Sequence, residues 1–209
     1  MNDQRKRIHP HKFTLWVGIA SIIMMFAGLT SAYIVKRNLA NWISFDLPIL
    51  FWYSTLLIIL SSLTIMVSRN YFKQGEMARY RQWLTVTTGL GILFVIMQTI
   101  GFINLWNSGI TLTRNVSFSF LYIIVGLHAL HVVAGVIALS VILVRSFSSR
   151  RKLYSTVQID LMSTYWYFVD FLWIYLLIFF SADKIALVTE GEKAFNLFRK
   201  EELNSLNKV

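Results

Sequence analysis

The sequence contains no cysteine, which removes disulfide frameworks, thiolate metal sites and iron–sulfur clusters from consideration. Charge is scarce as well. Asp, Glu, Lys and Arg make up 14% of the 209 residues, roughly half the share in an ordinary soluble domain. Acids are the scarcer sign, ten against twenty Lys and Arg, and the net charge is +10. That balance does not point to nucleic acid, because the cations sit in short loops beside long apolar runs. No clear small-residue cleavage site marks a signal peptide. The first apolar run is too long for one and reads as a retained span. There is also no internal repeat of the transporter kind and no low-complexity linker.

What is present is apolar. Hydrophobic residues make up 56% of the chain, with 16 Phe, 9 Tyr and 7 Trp. A helix needs about 20 apolar residues to cross a bilayer core. Five stretches reach that length, residues 13–35, 48–68, 83–106, 118–144 and 159–181. Pro48 suits the first turn of the second. Trp83 and Trp106 flank the third as interface anchors. The sequence therefore predicts an all-α membrane bundle of five spans, residues 13–181, with antiparallel neighbours joined by short loops. Residues 1–12 form a segment before it and residues 182–209 a tail after it.

Charge placement gives an orientation. Arg5, Lys6, Arg7 and Lys12 precede the first span, Arg69, Lys73, Arg79 and Arg81 lie around the second loop, and Arg145, Arg150, Arg151 and Lys152 around the fourth. The first and third loops hold only Lys36, Arg37 and Arg114. The positive-inside rule puts the N-terminus in the cytoplasm and the C-terminus outside. The tail, with five acids and five bases, is expected to form a short surface helix around Phe195, Leu197, Phe198, Leu203 and Leu206.

Polar groups inside a membrane are costly, so they are the first place to seek function. Asp170 falls near the middle of the fifth span, and His128 and His131 near the middle of the fourth. Gln98 is in the third, with Ser54, Thr55, Ser61, Ser62 and Thr64 in the second. Depth counting brings His128, His131 and Asp170 to the midplane, where a hydrogen bond between Asp170 and one histidine would lower the cost of burying both. The two histidines, three residues apart, share a helix face. They cannot grip a haem from both sides, and a zinc or copper site would need more ligands than Asp170 alone supplies. His9 and His11 lie outside the spans. Interhelical hydrogen bonding is the commoner use of such residues, and no metal ligand or catalytic residue is assigned. Asp170 as a proton relay would need further titratable groups, and no other span interior holds an acid. Gln98, Ser61 and Ser62 read as interhelical hydrogen-bonding groups. Gly89, Gly91, Gly126 and Gly135 read as points of close helix contact.

The segments carrying these groups resemble a known family. Gly126-Leu127-His128-Ala129-Leu130-His131-Val132-Val133-Ala134-Gly135 is similar to the GxHxxHVxxG element of subunit III of haem–copper oxidases. Tyr165-Trp166-Tyr167-Phe168-Val169-Asp170-Phe171-Leu172-Trp173 resembles that family's YWHFVDxxW element, with Tyr167 where the family often has His. Leu90-Gly91 through Phe94 to Gln98, the Ser/Thr pairs of the second span, and Phe26-Ala27-Gly28 with Ala32-Tyr33 match further elements in order. Longer members carry a Ser-Glu pair in the first matching span. Here Ser21 is followed by Ile22, so that carboxylate is absent. The resemblance is to the short bacterial form, without the two N-terminal spans of seven-span members.

The resemblance implies a non-redox accessory subunit of an aerobic respiratory oxidase that supports the stability, lipid environment and sustained proton uptake of catalytic subunit I; the complex as a whole would reduce O2 to water and pump protons. Haems and copper would sit in partner subunits, and this chain would bind catalytic subunit I, other oxidase subunits and phospholipid. Membership of a larger supercomplex also fits. The setting implied is the bacterial cytoplasmic membrane, with cytochrome c favoured over quinol as electron donor. A small transporter or channel would instead need more polar lining or broken helices. A membrane metalloenzyme would need a metal at His128, His131 and Asp170.

Overall fold

A computed structural model describes residues 10–37, 42, 49–111, 115–147 and 156–206. Arg5, Lys6, Arg7, His9, Pro48, Arg114, Arg150, Arg151 and Lys152, used above in the charge and span readings, lie outside the described residues, as does the side chain of His11. In hydrocarbon every backbone N–H and C=O needs an internal partner, and a helix supplies one within its own segment. The apolar runs accordingly form five helices, α1 (Pro10–Lys36), α2 (Ile49–Lys73), α3 (Met77–Asn107), α4 (Val116–Phe147) and α5 (Thr156–Leu206). All five are long and apolar enough to cross a bilayer. This is an all-α, multi-pass membrane bundle.

The tightest connection is between α2 and α3. Gly75 takes a φ of 79° there, in the left-handed region that favours glycine. Its N–H donates to the Phe72 carbonyl at 3.1 Å, and that of Glu76 to the Tyr71 carbonyl at 3.1 Å. These bonds satisfy the last carbonyls of α2 and fold α3 back along it. Around this hairpin, α5 packs against α1, α2 and α4, while α4 also packs on α3. Two apolar clusters fill the interior. Phe26, Tyr33, Phe51, Phe94, Trp173 and Phe180 belong to one, and Ile65, Tyr80, Leu139 and Trp166 to the other. The outer faces are apolar too, with Leu63, Ile103, Leu130 and Ile137 all exposed, as expected for a surface that meets lipid or another membrane subunit.

Ion pairs mark the two ends of the bundle. At one end, Arg69 Nε donates to Asp160 Oδ1 at 2.6 Å. At the other, Arg37 bridges Asp183 at 3.2 Å and Glu190 at 2.9 Å. Asp160 and Asp183 are 23 residues apart on α5, about 35 Å along a helix axis and close to the thickness of a hydrocarbon core.

The tail differs from expectation. It is no separate short helix, since residues 182–206 continue α5 without a break. No proline or glycine interrupts the exit from the membrane before Gly191, and Arg37 grips Asp183 and Glu190, two turns apart on one face.

Candidate functional site

The interior polar groups are organised by α2. Its buried face runs Phe51, Ser54, Ile58, Ser61, Ile65, Ser68, Phe72, so Ser54, Ser61 and Ser68 repeat every seven residues. Thr55, Ser62 and Arg69 form a second column beside them. A seven-residue repeat keeps each column facing the same neighbour along the whole span. The second column meets α5. Thr55 Oγ1 accepts from Trp173 Nε1 at 3.0 Å, Ser62 donates to Asp170 Oδ2, and Arg69 pairs with Asp160. The first column serves α3 and the centre. Ser54 accepts from Gln98 Nε2 at 2.7 Å, Ser61 accepts from Trp166 Nε1 at 3.0 Å, and Ser68 donates to the Tyr80 carbonyl at 3.3 Å. Thr64 adds a contact to Thr87 at 2.9 Å. Each bond removes the cost of leaving a polar group unpaired in an apolar interior.

Asp170 and the histidines do not come together as the sequence suggested. The Asp170 carboxyl is buried and faces α2, where one oxygen accepts from Ser62 and the other has no partner among the described residues. The His131 ring contacts the carbonyl of Leu127 on its own helix through Nδ1 at 2.7 Å, with the Phe26 ring edge-on at 6.0 Å. His128 is fully buried and stacks on Trp173 with ring centroids 5.2 Å apart. Neither of its nitrogens has a hydrogen-bond partner among the described residues. Depth counting brought all three to one level, but it gives no rotation about the helix axis. Asp170 turns toward α2 and His131 toward α1. Among the described residues, no three His, Asp or Glu side chains gather closely enough to share a metal ion.

The glycines divide. A Cβ on Gly135 would lie 3.1 Å from Trp166 Cζ3, and one on Gly91 would lie 2.8 Å from Trp166 Cη2. Gly126 and Gly89 have open space at that position, so the close contact expected of them is not made within this chain. Both sit on outward faces. Trp166 is thus the central tie. Its indole lies along the backbones of α3 and α4, its nitrogen is held by α2, and it belongs to α5. Gly101 plays a similar part for Phe51, at 2.7 Å.

A second polar cluster was not foreseen. Tyr33, fully buried, donates to Asp183 Oδ2 at 2.8 Å. Edge-on rings of Trp42, Phe120, Phe179 and Phe180 surround it. Thr30 meets the Tyr175 hydroxyl one turn away at 3.2 Å. Little in the sequence signals this cluster, since Tyr33 and Asp183 are 150 positions apart.

These features define a multi-pass membrane protein whose interior polar groups tie helices to one another. The sequence profile of Cytochrome c oxidase subunit III matches residues 38–182. The probable cytochrome c oxidase subunit 3 of Mycobacterium tuberculosis (strain ATCC 25618 / H37Rv) is 32% identical over 165 residues, covering 77% of this chain and 81% of that protein. The subunit 3 of Corynebacterium diphtheriae is 31% identical over 174 residues, 78% of this chain and 82% of that protein. That of Bacillus subtilis (strain 168) is 26% identical over 167 residues, 77% and 80% respectively. The chain belongs to the cytochrome c oxidase subunit III family, and as such is one subunit of an oxidase complex.

Proposed function

We propose that the chain is a non-redox accessory subunit that stabilises the catalytic subunit I of a cytochrome c oxidase. The observation that carries this reading is how the interior polar groups are used. Ser54, Thr55, Ser61, Ser62, Gln98, Trp166, Asp170 and Trp173 bond to one another across helices, the pattern of a scaffold. A proton path made by this chain alone would need further acids near Asp170. Asp160 and Asp183, the other acids of the span region, lie ten and thirteen residues away on the same helix, about 15 and 20 Å. The exposed apolar faces of the helices then serve as the contact with subunit I and other oxidase subunits.

Cytochrome c is the proposed electron donor, in keeping with the names of the relatives, and quinol is the alternative. The proposed location is a bacterial cytoplasmic membrane. An N-inside orientation is proposed with it, supported by twelve cations around the N-terminal segment and the second and fourth loops against three elsewhere. Bound phospholipid is proposed for a cleft of about 420 Å³ near that inner end, whose apolar wall suits an acyl chain and whose Arg145 suits a headgroup phosphate.

Purification in mild detergent tests the central reading. The subunit is expected to co-elute with haem-containing partners. Its deletion is expected to leave an oxidase that turns over but loses activity during turnover. Recovery free of any haem protein would refute the assignment. A copper-binding Cys pair in the neighbouring subunit II would identify cytochrome c as donor.

A further inference from the structure

One face of α5 is left open by its neighbours. α5 packs against both α1 and α2, yet α1 and α2 do not pack against each other among the described residues. Ser62 and Thr55 of α2 reach Asp170 and Trp173 on one side of α5. Thr30 and Tyr33 of α1 reach Tyr175 and Phe179 on the other side. Between the two sides runs a line of residues at alternating steps of four and three: Tyr167, Phe171, Ile174, Ile178, Ser181, Ile185 and Val188. Phe171 is 70% exposed, Ile178 61%, Ile185 67% and Val188 52%, while Tyr167, Ile174 and Ser181 are half-buried. Steps of four and three average 3.5 residues, the repeat that holds one helix face against one neighbouring helix along its whole length.

Lipid tails neither require such a repeat nor cover its full length. Hydrocarbon excludes charge, and Arg37 meets Asp183 and Glu190 on the far face of α5. The line runs on through that level. Ile185 and Val188 stand among these charges, apolar and exposed, on the face turned away from Arg37. The line stops at Glu192, the next position in the same spacing. Val188 follows Tyr167 by 21 residues, about 32 Å along the axis. Resting on the reading of the exposed apolar faces as subunit contacts, we propose that this seam seats one membrane-spanning helix of another oxidase subunit. That helix carries its own apolar repeat of threes and fours and continues about one turn past the level of Asp183. Its seat is the opening over α5 between α1 and α2.

Benzoylphenylalanine at Phe171, Ile178 or Ile185, one position per variant, reads the seam by photo-crosslinking in the intact oxidase in its native membrane. All three positions are exposed within this chain, so its own core is left in place. The expected result is an adduct to one and the same partner polypeptide at all three positions. The crosslinked partner residues should lie about seven apart and in sequence order. Adducts to phospholipid alone would overturn the seam, as would adducts to a second copy of this chain or to a different polypeptide at each position. Co-elution with haem separates this outcome from the fate of the oxidase assignment. A variant that co-elutes with haem partners yet yields only lipid adducts refutes the seam and leaves the assignment standing. A cryo-electron microscopy map of the unsubstituted complex gives the same reading without any substitution. Helix density along Phe171 to Val188 is expected, and lipid density or none at that face would refute the seam.

Discussion

Replacing Gly91 by alanine adds one methyl at the point where four helices share one side chain. The new Cβ would lie 2.8 Å from Trp166 Cη2 and 3.1 Å from Val136 Cγ2, closer than carbon atoms pack without displacement. The indole has little freedom to withdraw. Its six-membered ring also lies along Gly135, its nitrogen is held by Ser61 at 3.0 Å, and it is fully buried. Over-packing at such a site costs about 1–3 kcal/mol, and the rigidity of the ring argues for about 2 kcal/mol. For a chain of this size that corresponds to a drop in Tm of about 4–8 °C. The control is on the same helix, two residues earlier. Gly89→Ala adds the same methyl into open space and should stay within about 0.5 kcal/mol of the parent. The assay is the fraction of subunit still co-eluting with the oxidase after stepped heating. Equal losses for the two variants would refute the account of Trp166 as the central tie.

Other substitutions probe the remaining contacts. His128→Phe keeps a ring against Trp173 and removes two buried nitrogens that have no partner among the described residues, so thermal stability should hold or rise by about 1 kcal/mol. A clear loss would mean that the imidazole is bonded in the complex. Ser62→Ala removes the hydroxyl that Asp170 accepts from and should cost about 1–3 kcal/mol, whereas Asp170→Asn retains an acceptor oxygen and should cost less. Thermal stability of both variants tests that order. Arg37→Gln should speed amide exchange over Asp183–Glu190 by about two- to fivefold, the value of a half-screened ion pair, and leave exchange in α3 unchanged by hydrogen–deuterium mass spectrometry.

The spans were legible because each is a long apolar run bounded by charge, a signal that hydrocarbon enforces one element at a time. The α2 columns were also legible in principle. Ser54, Ser61 and Ser68, with Thr55, Ser62 and Arg69, repeat every seven residues, and that spacing alone marks two seams. Rotation about the axis was not legible. Asp170 and His131 share a depth, yet the partner each faces depends on how α5 and α4 turn against α2 and α1, which short-range pattern does not encode. The glycines show the same limit. Gly126 and Gly135 look alike in the sequence, and only the position of Trp166 separates the one that packs from the one that does not. The continuation of α5 past Ser181 is braced by Arg37, far away in the chain.

That continuation makes α5 a single rod from the Arg69–Asp160 pair to Leu206. The part beyond Ser181 is 25 residues long, about 37 Å along the helix axis, more than a span needs to cross a hydrocarbon core. A rigid rod converts angle into distance. A tilt of about 5° at the membrane boundary carries its tip sideways by about 3 Å. Small rearrangements among the buried helices would therefore be enlarged at the far end of this helix.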